Sequence, residues 1–195
     1  MTRIQQRTYR PTGVGRVVVA LMMVLAACVA TAGSADADSR PDFSAQAKGA
    51  GLSSSEARAL QAEADANVAK WGGTQVAANK IRVPGGELTL ALPGEKHARN
   101  LGTKDAARAA ASSCPYTYVC AYSGTNFTGD ELRLFTCNYP VRIYWNTTGS
   151  WKNNQRAGLS AKFYDSDEIL RWTSPGGYSQ DAAADWRWVW YLSPC

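Results

Sequence analysis

The residues able to move protons or bind metals are few and scattered. His97 is the only histidine in 195 residues, so a Ser-His-Asp or Cys-His arrangement would have one possible base. Paired carboxylates can do acid–base chemistry without histidine, and Asp130-Glu131 and the group Asp165, Asp167 and Glu168 supply them. Adjacent acids in turn-rich sequence are ordinarily solvated, so they read as surface charge and no catalytic set is expected. The chain has no C-x2-C pair and no H-E-x-x-H, so no metal or other cofactor is expected either. What remains is cysteine. Beyond Cys28, the chain carries Cys114, Cys120, Cys137 and Cys195. In an oxidising compartment four cysteines form two disulfides, in one of three pairings.

The start of the chain predicts such a compartment. Residues 1–16 are polar and basic, residues 17–32 are an apolar or small run, and Ala35-Asp36-Ala37 offers a small-x-small cleavage site. Residues 1–37 therefore read as a secretory signal peptide, leaving an extracellular protein with no membrane attachment after cleavage. Leu25-Ala26-Ala27-Cys28 also fits a lipobox, which makes a lipoprotein anchored through Cys28 the minor alternative. The formal charge of +5 owes much to this leader, whose Arg3, Arg7, Arg10 and Arg16 face Asp36 alone. Residues 112–195 hold seven charges of each sign. With no clustered basic face to release counterions, a nucleic-acid partner is excluded. The protein is expected to be a monomer.

Residues 38–51 are rich in Ala, Ser, Gly and charge and read as a disordered lead-in. Residues 52–93 then predict a small helix-plus-hairpin segment. Ser53-x-x-Glu56 is a capping box, and Ala57, Leu60, Ala64, Val68 and Trp71 form one apolar helical stripe that stops at Gly72-Gly73. Residues 76–83 and 87–92 flank Pro84-Gly85-Gly86 as the two arms of a hairpin. Such a unit is near the lower size limit for independent folding. Residues 94–111 read as a linker to a separate domain.

Residues 112–195 contain six of the seven tryptophans and eight of the nine tyrosines. Short strands between Gly, Asn and Pro turns predict an all-β sandwich or barrel. Trp186, Trp188 and Trp190 alternate with Arg187, Val189 and Tyr191, as in a final strand apolar on both faces. The stretch 114–137 organises the rest. It opens C-P-x4-C-x-Y-S-G-T, and Tyr122 and Gly129 form an aromatic-x6-Gly element, a strand residue followed by a folded hairpin and a glycine needing positive φ.

That element resembles the first Greek-key signature of βγ-crystallin-type domains, with Ser150 at the position of its serine. The longer run resembles the secreted bacterial metalloproteinase inhibitors, peptidase inhibitor family 36. The resemblance implies a mainly β protein, with a βγ-crystallin-like Greek-key sandwich at residues 112–195 behind the small α+β segment. It favours Cys114–Cys120, which leaves Cys137–Cys195. It also implies a secreted protease as partner, since such an inhibitor needs no catalytic group and works through a rigid, substrate-like loop. The expected contact region is 138–149, with Val141 and Ile143 as apolar pocket-fillers. Alternation with Arg142 and Tyr144 suits an inward-packed strand equally well. A second aromatic-x6-Gly is missing, because Tyr164 is followed at that distance by Arg171. The run 145–150 keeps only Asn146 and Ser150 of the calcium signature of this fold, so no calcium site is expected. The competing function is a carbohydrate- or cell-wall-binding or killer-toxin-like module, which would show Trp145, Trp151 or Trp172 exposed in a row.

Overall fold

The computed structural model describes residues 42–101 and 114–195. The expected signal peptide, with Cys28, and the expected linker residues 102–111 lie outside the described residues. A short helix α1 (Ser44–Gly49) corrects the expectation of a disordered lead-in. Its Ala47 is buried, and Gln46 ties it down by accepting from Ala78 N–H and donating to Leu101 O at 3.1 Å. Helix α2 (Ser54–Trp71) begins with the expected capping box between Ser53 and Glu56. It buries Ala57, Leu60, Ala64 and Trp71 from the predicted stripe.

Three strands follow: β1 (Thr74–Ala77), β2 (Lys80–Val83) and β3 (Gly86–Thr89). The first predicted arm, 76–83, is thus two strands and not one. Asn79 breaks it. Its buried side chain donates to Leu90 O and Arg99 O, both at 2.8 Å, which fixes a turn where periodicity suggested continuation.

The C-terminal part adds β4 (Tyr118–Tyr122), β5 (Glu131–Leu134), β6 (Val141–Arg142) and β7 (Thr148–Asn154). Then come β8 (Lys162–Tyr164), β9 (Leu170–Thr173), β10 (Ser179–Asp185) and β11 (Tyr191–Ser193). The protein is mainly β, with two antiparallel sheets. A seven-stranded sheet has the order β1-β2-β3-β5-β4-β7-β10, and a four-stranded sheet has the order β6-β11-β8-β9. In each half, β4–β7 and β8–β11, the fourth strand returns beside the first, while the third joins the opposite sheet.

Period-two alternation builds the core. Ile81, Leu88, Leu132, Ala121 and Trp151 are successive cross-strand neighbours over five strands, and all are buried. The pairing of β3 with β5 runs from Gly86↔Leu134 to Thr89↔Glu131. The small segment is therefore the continuation of the large sheet, and the described residues fall in one compact unit. The expected separation of residues 52–93 from the β domain is corrected here. Neither Leu88 nor Leu132 has an apolar partner on that flank unless the two strands meet. Residues 94–101, expected as free linker, also bond to the domain: Gly129 N–H donates to Lys96 O at 2.7 Å and Ala98 N–H to Gly129 O at 3.2 Å.

The last predicted strand is corrected as well. Residues 186–190 form a turn and an irregular stretch, and β11 starts only at Tyr191. Asp185 Oδ1 accepts from the backbone N–H of Arg187 at 3.0 Å, which turns the chain. Trp186 and Val189 then point inward, while Trp188 and Trp190 remain 39% and 40% exposed. Among the described residues, no helix is long and apolar enough to cross a membrane.

Candidate functional site

The stretch 114–137 folds into two fixed features. Cys114–Cys120 closes a short loop, with Cα atoms 5.7 Å apart, and packs with Tyr122 in a small buried cluster on the outer face of β4. Next to it, residues 123–129 fold back over the sheet. Gly129 sits at φ 78°, and a Cβ there would overlap Ser123 Oγ. Ser150 holds the fold-back from below: its hydroxyl donates to Gly124 O at 2.6 Å and accepts from Phe127 N–H at 2.8 Å. The Phe127 ring meets Tyr122 edge-on at 5.6 Å. The structure thus brings Tyr122, Gly129 and Ser150 around one folded hairpin, with the Ser150 hydroxyl engaged inside it.

The charged and titratable residues are distributed among structural tasks. His97 Nδ1 lies 2.9 Å from Phe127 O, beneath the same hairpin. Asp130 accepts from Ala91 N–H at 2.9 Å, and burial raises its carboxyl above the ordinary range. Burial also raises Glu63, with the Asp130 charge adding to the effect. Glu131 is buried between the Tyr122 hydroxyl at 3.3 Å and Arg133 at 2.9 Å. Asp165 caps the β8–β9 turn by accepting from Asp167 and Ile169 N–H, both at 3.0 Å. Its bond to Arg171 holds its carboxyl below the usual value. The Arg171 that replaces the missing second glycine is thus the tether of a different turn.

The exposed feature of this region is the segment 135–140. All six residues are exposed, with Phe135 at 45% and Tyr139 at 44%. It is nonetheless anchored. Cys137 is bonded to Cys195, with Cα atoms 4.7 Å apart, and Asn138 N–H donates to Cys195 O at 3.0 Å. Phe135 meets the Tyr118 ring edge-on at 5.5 Å. Asn138 takes φ 55°, a left-handed conformation that asparagine tolerates better than most residues. At the other end β6 pairs with β11, Val141 opposite Leu192 and Arg142 opposite Tyr191.

This pairing corrects the expected pocket-fillers. Val141 is 6% and Ile143 2% exposed, so both belong to the core, and they cannot enter a partner's pocket without unfolding β6. Sequence periodicity allowed this outcome but could not choose it. The signal that finds the exposed segment is the cysteine itself, with aromatic residues two positions to either side. The row that the competing module would show is not formed by these three tryptophans: Trp151 is 4% exposed, Trp145 is half-buried and Trp172 is exposed.

No curated protein and no solved structure matches the chain. Residues 107–169 match the model of peptidase inhibitor family I36, and they span the first disulfide, the folded hairpin and the anchored segment 135–140. That match supports a peptidase inhibitor, with a protease as its partner, and points away from an enzyme.

Proposed function

We propose that the protein is a secreted, monomeric inhibitor of metalloproteases, and that residues 135–140 are the substrate-like segment it presents. The observation that carries this reading is an exposed segment held at its centre by a disulfide. A flexible peptide loses conformational entropy when it enters a protease cleft; a segment already fixed by Cys137–Cys195 and the Asn138 bond loses less. Phe135 and Tyr139 offer apolar side chains to a specificity pocket, and Pro140 limits the backbone freedom of the unbound segment. Two disulfides and the leader sequence both suit action outside the cell.

The test is hydrolysis of a peptide substrate by a thermolysin-like metalloprotease with increasing full chain, then with Phe135→Asp and Tyr139→Asp. Both side chains are half-exposed, so both variants are expected to fold and to inhibit at least about tenfold more weakly. If the native protein leaves several metalloproteases fully active at roughly 10–100 μM, the inhibitor reading fails. If both folded variants inhibit normally, the assignment to 135–140 fails.

A further inference from the structure

The two sheets do not close on each other at the side where β9 and β10 are the free edges. A cavity of about 210 Å³ opens there. Trp151, Phe163 and Trp186 form its floor, and Trp172 and Trp188 stand at its rim, 41% and 39% exposed. Sequence explains the gap. Strand β10 reads S-Q-D-A-A-A-D, so it brings alanines and carboxylates beside the bulky rings of Trp151 on β7 and Phe163 on β8. Asp181 lies directly across from the buried Trp151, on the face of the sheet that is otherwise core. Asp181 is nonetheless exposed, since the groove is open there, and its Oδ1 accepts from Ala183 N–H at 2.8 Å, which leaves Oδ2 for water or a ligand. The ladder between β7 and β10 is also irregular between Asp181 and Ala184, immediately beside the cavity.

We propose that this groove is a binding site for a neutral pyranose ring of a polysaccharide, separate from the inhibitory segment 135–140. A pyranose has an apolar face of C–H groups, which covers an indole without desolvating charge, and an equatorial rim of hydroxyls that donate to carboxylates. The groove offers both: tryptophan rings, and the Asp181 and Asp185 carboxylates at one margin. Its volume is below that of sites for drug-sized ligands and suits one ring of a chain whose other units lie outside.

Charge separates this occupant from a cationic one, which would also favour tryptophan and aspartate. Asp185 is already neutralised by Arg187, whose Nε lies 2.7 Å from its Oδ1. That guanidinium offsets one of the two carboxylates, which lowers the attraction for a lysine or a quaternary ammonium and leaves a neutral ring unaffected. Trp190 is not part of the site, because the Arg142 guanidinium lies 3.6 Å from its ring centroid and occupies that face.

The experiment titrates the full chain with chitohexaose, cellohexaose, xylohexaose and mannohexaose, following tryptophan fluorescence and isothermal calorimetry. Hexalysine is the cationic control. The expected result is saturable binding of at least one neutral hexaose, with a fluorescence shift and no response to hexalysine. Trp188→Ala is expected to weaken binding about tenfold or more, as an uncovered apolar face would. Asp181→Asn keeps the side chain's shape and is expected to weaken it several-fold. Both residues are exposed, so near-ultraviolet circular dichroism should remain native, and inhibition through 135–140 should be unchanged. The proposal is overturned if no hexaose binds at millimolar concentration, if hexalysine binds instead, or if both variants bind sugar like the native protein. It is also overturned if sedimentation shows the groove buried in a dimer that Trp188→Ala dissociates.

Discussion

Removing the N-terminal segment tests how the large sheet is held together. In a chain reduced to residues 112–195, β5 loses its partner β3 and becomes an edge strand. Leu132 and Leu134, both fully buried, then lie open along that edge. Leu88, Leu90 and Leu92 no longer cover them, and Trp71 no longer packs on Tyr144 and Trp145, at 4.9 and 6.0 Å. Exposing two leucines costs about 3–6 kcal/mol, at roughly 1.5–3 each. Whole domains have a net stability of only about 5–15 kcal/mol. The fragment should therefore melt roughly 10–20 °C below the full chain, or fail to fold. Differential scanning calorimetry of both forms measures this. A control keeps the chain intact: Leu88→Ala and Leu132→Ala should each cost about 2–5 kcal/mol, and their double variant should lose less than the sum because the side chains are cross-strand partners. A fragment that melts within about 2 °C of the full chain would refute the reasoning, and would show that the helix-plus-hairpin segment adds strands without adding stability.

Replacing Cys137 and Cys195 by Ala should destabilise more than replacing Cys114 and Cys120. The sequence separations are 58 and 6, and loop closure predicts about 4 against about 2 kcal/mol; equal shifts in the urea midpoint would contradict this. Asp130 has a raised carboxyl, so the folded state holds its proton more tightly than the unfolded state. That contribution is present at low pH and lost as pH rises through the folded-state value. Relative to Asp130→Asn, the native protein should thus gain stability between neutral pH and the ordinary aspartate range, and parallel curves of melting temperature against pH would rule it out. A Cβ at Gly149 would overlap both Trp186 Nε1 and Tyr122 O, which hydrogen-bond to each other at 2.8 Å. Gly149→Ala should accordingly cost about 1–3 kcal/mol, visible in the urea midpoint, whereas an unchanged midpoint would mean that the backbone can yield there.

Local signals were legible where they involve neighbours in sequence. The Ser53–Glu56 box, the α2 stripe and the Tyr122–Gly129 spacing each lie within one element or turn. The joining of β3 to β5 was not legible, since Leu88 and Leu132 are far apart in the chain and each reads only as an inward strand residue. The Asn79 turn was missed because its partners, Leu90 O and Arg99 O, are set by tertiary structure. Trp186, Trp188 and Trp190 alternate as a strand would, yet Asp185 accepting from Arg187 N–H converts the alternation into a turn. For the candidate site, the cysteines located the region, but only burial separates Phe135 and Tyr139 from Val141 and Ile143.

The Cys137–Cys195 bond spans a long interval of chain, with a consequence for a molecule that has been cut. A peptide bond hydrolysed anywhere between the two cysteines leaves Cys137 on one piece and Cys195 on the other. The pieces stay covalently joined, and the ladder of β6 on β11 keeps their ends in register. A nick at 138–140 would therefore not release a diffusible product. The new amine and carboxylate would remain side by side, so resynthesis of the bond competes with departure, and the nicked form would run as one species until its disulfides are reduced.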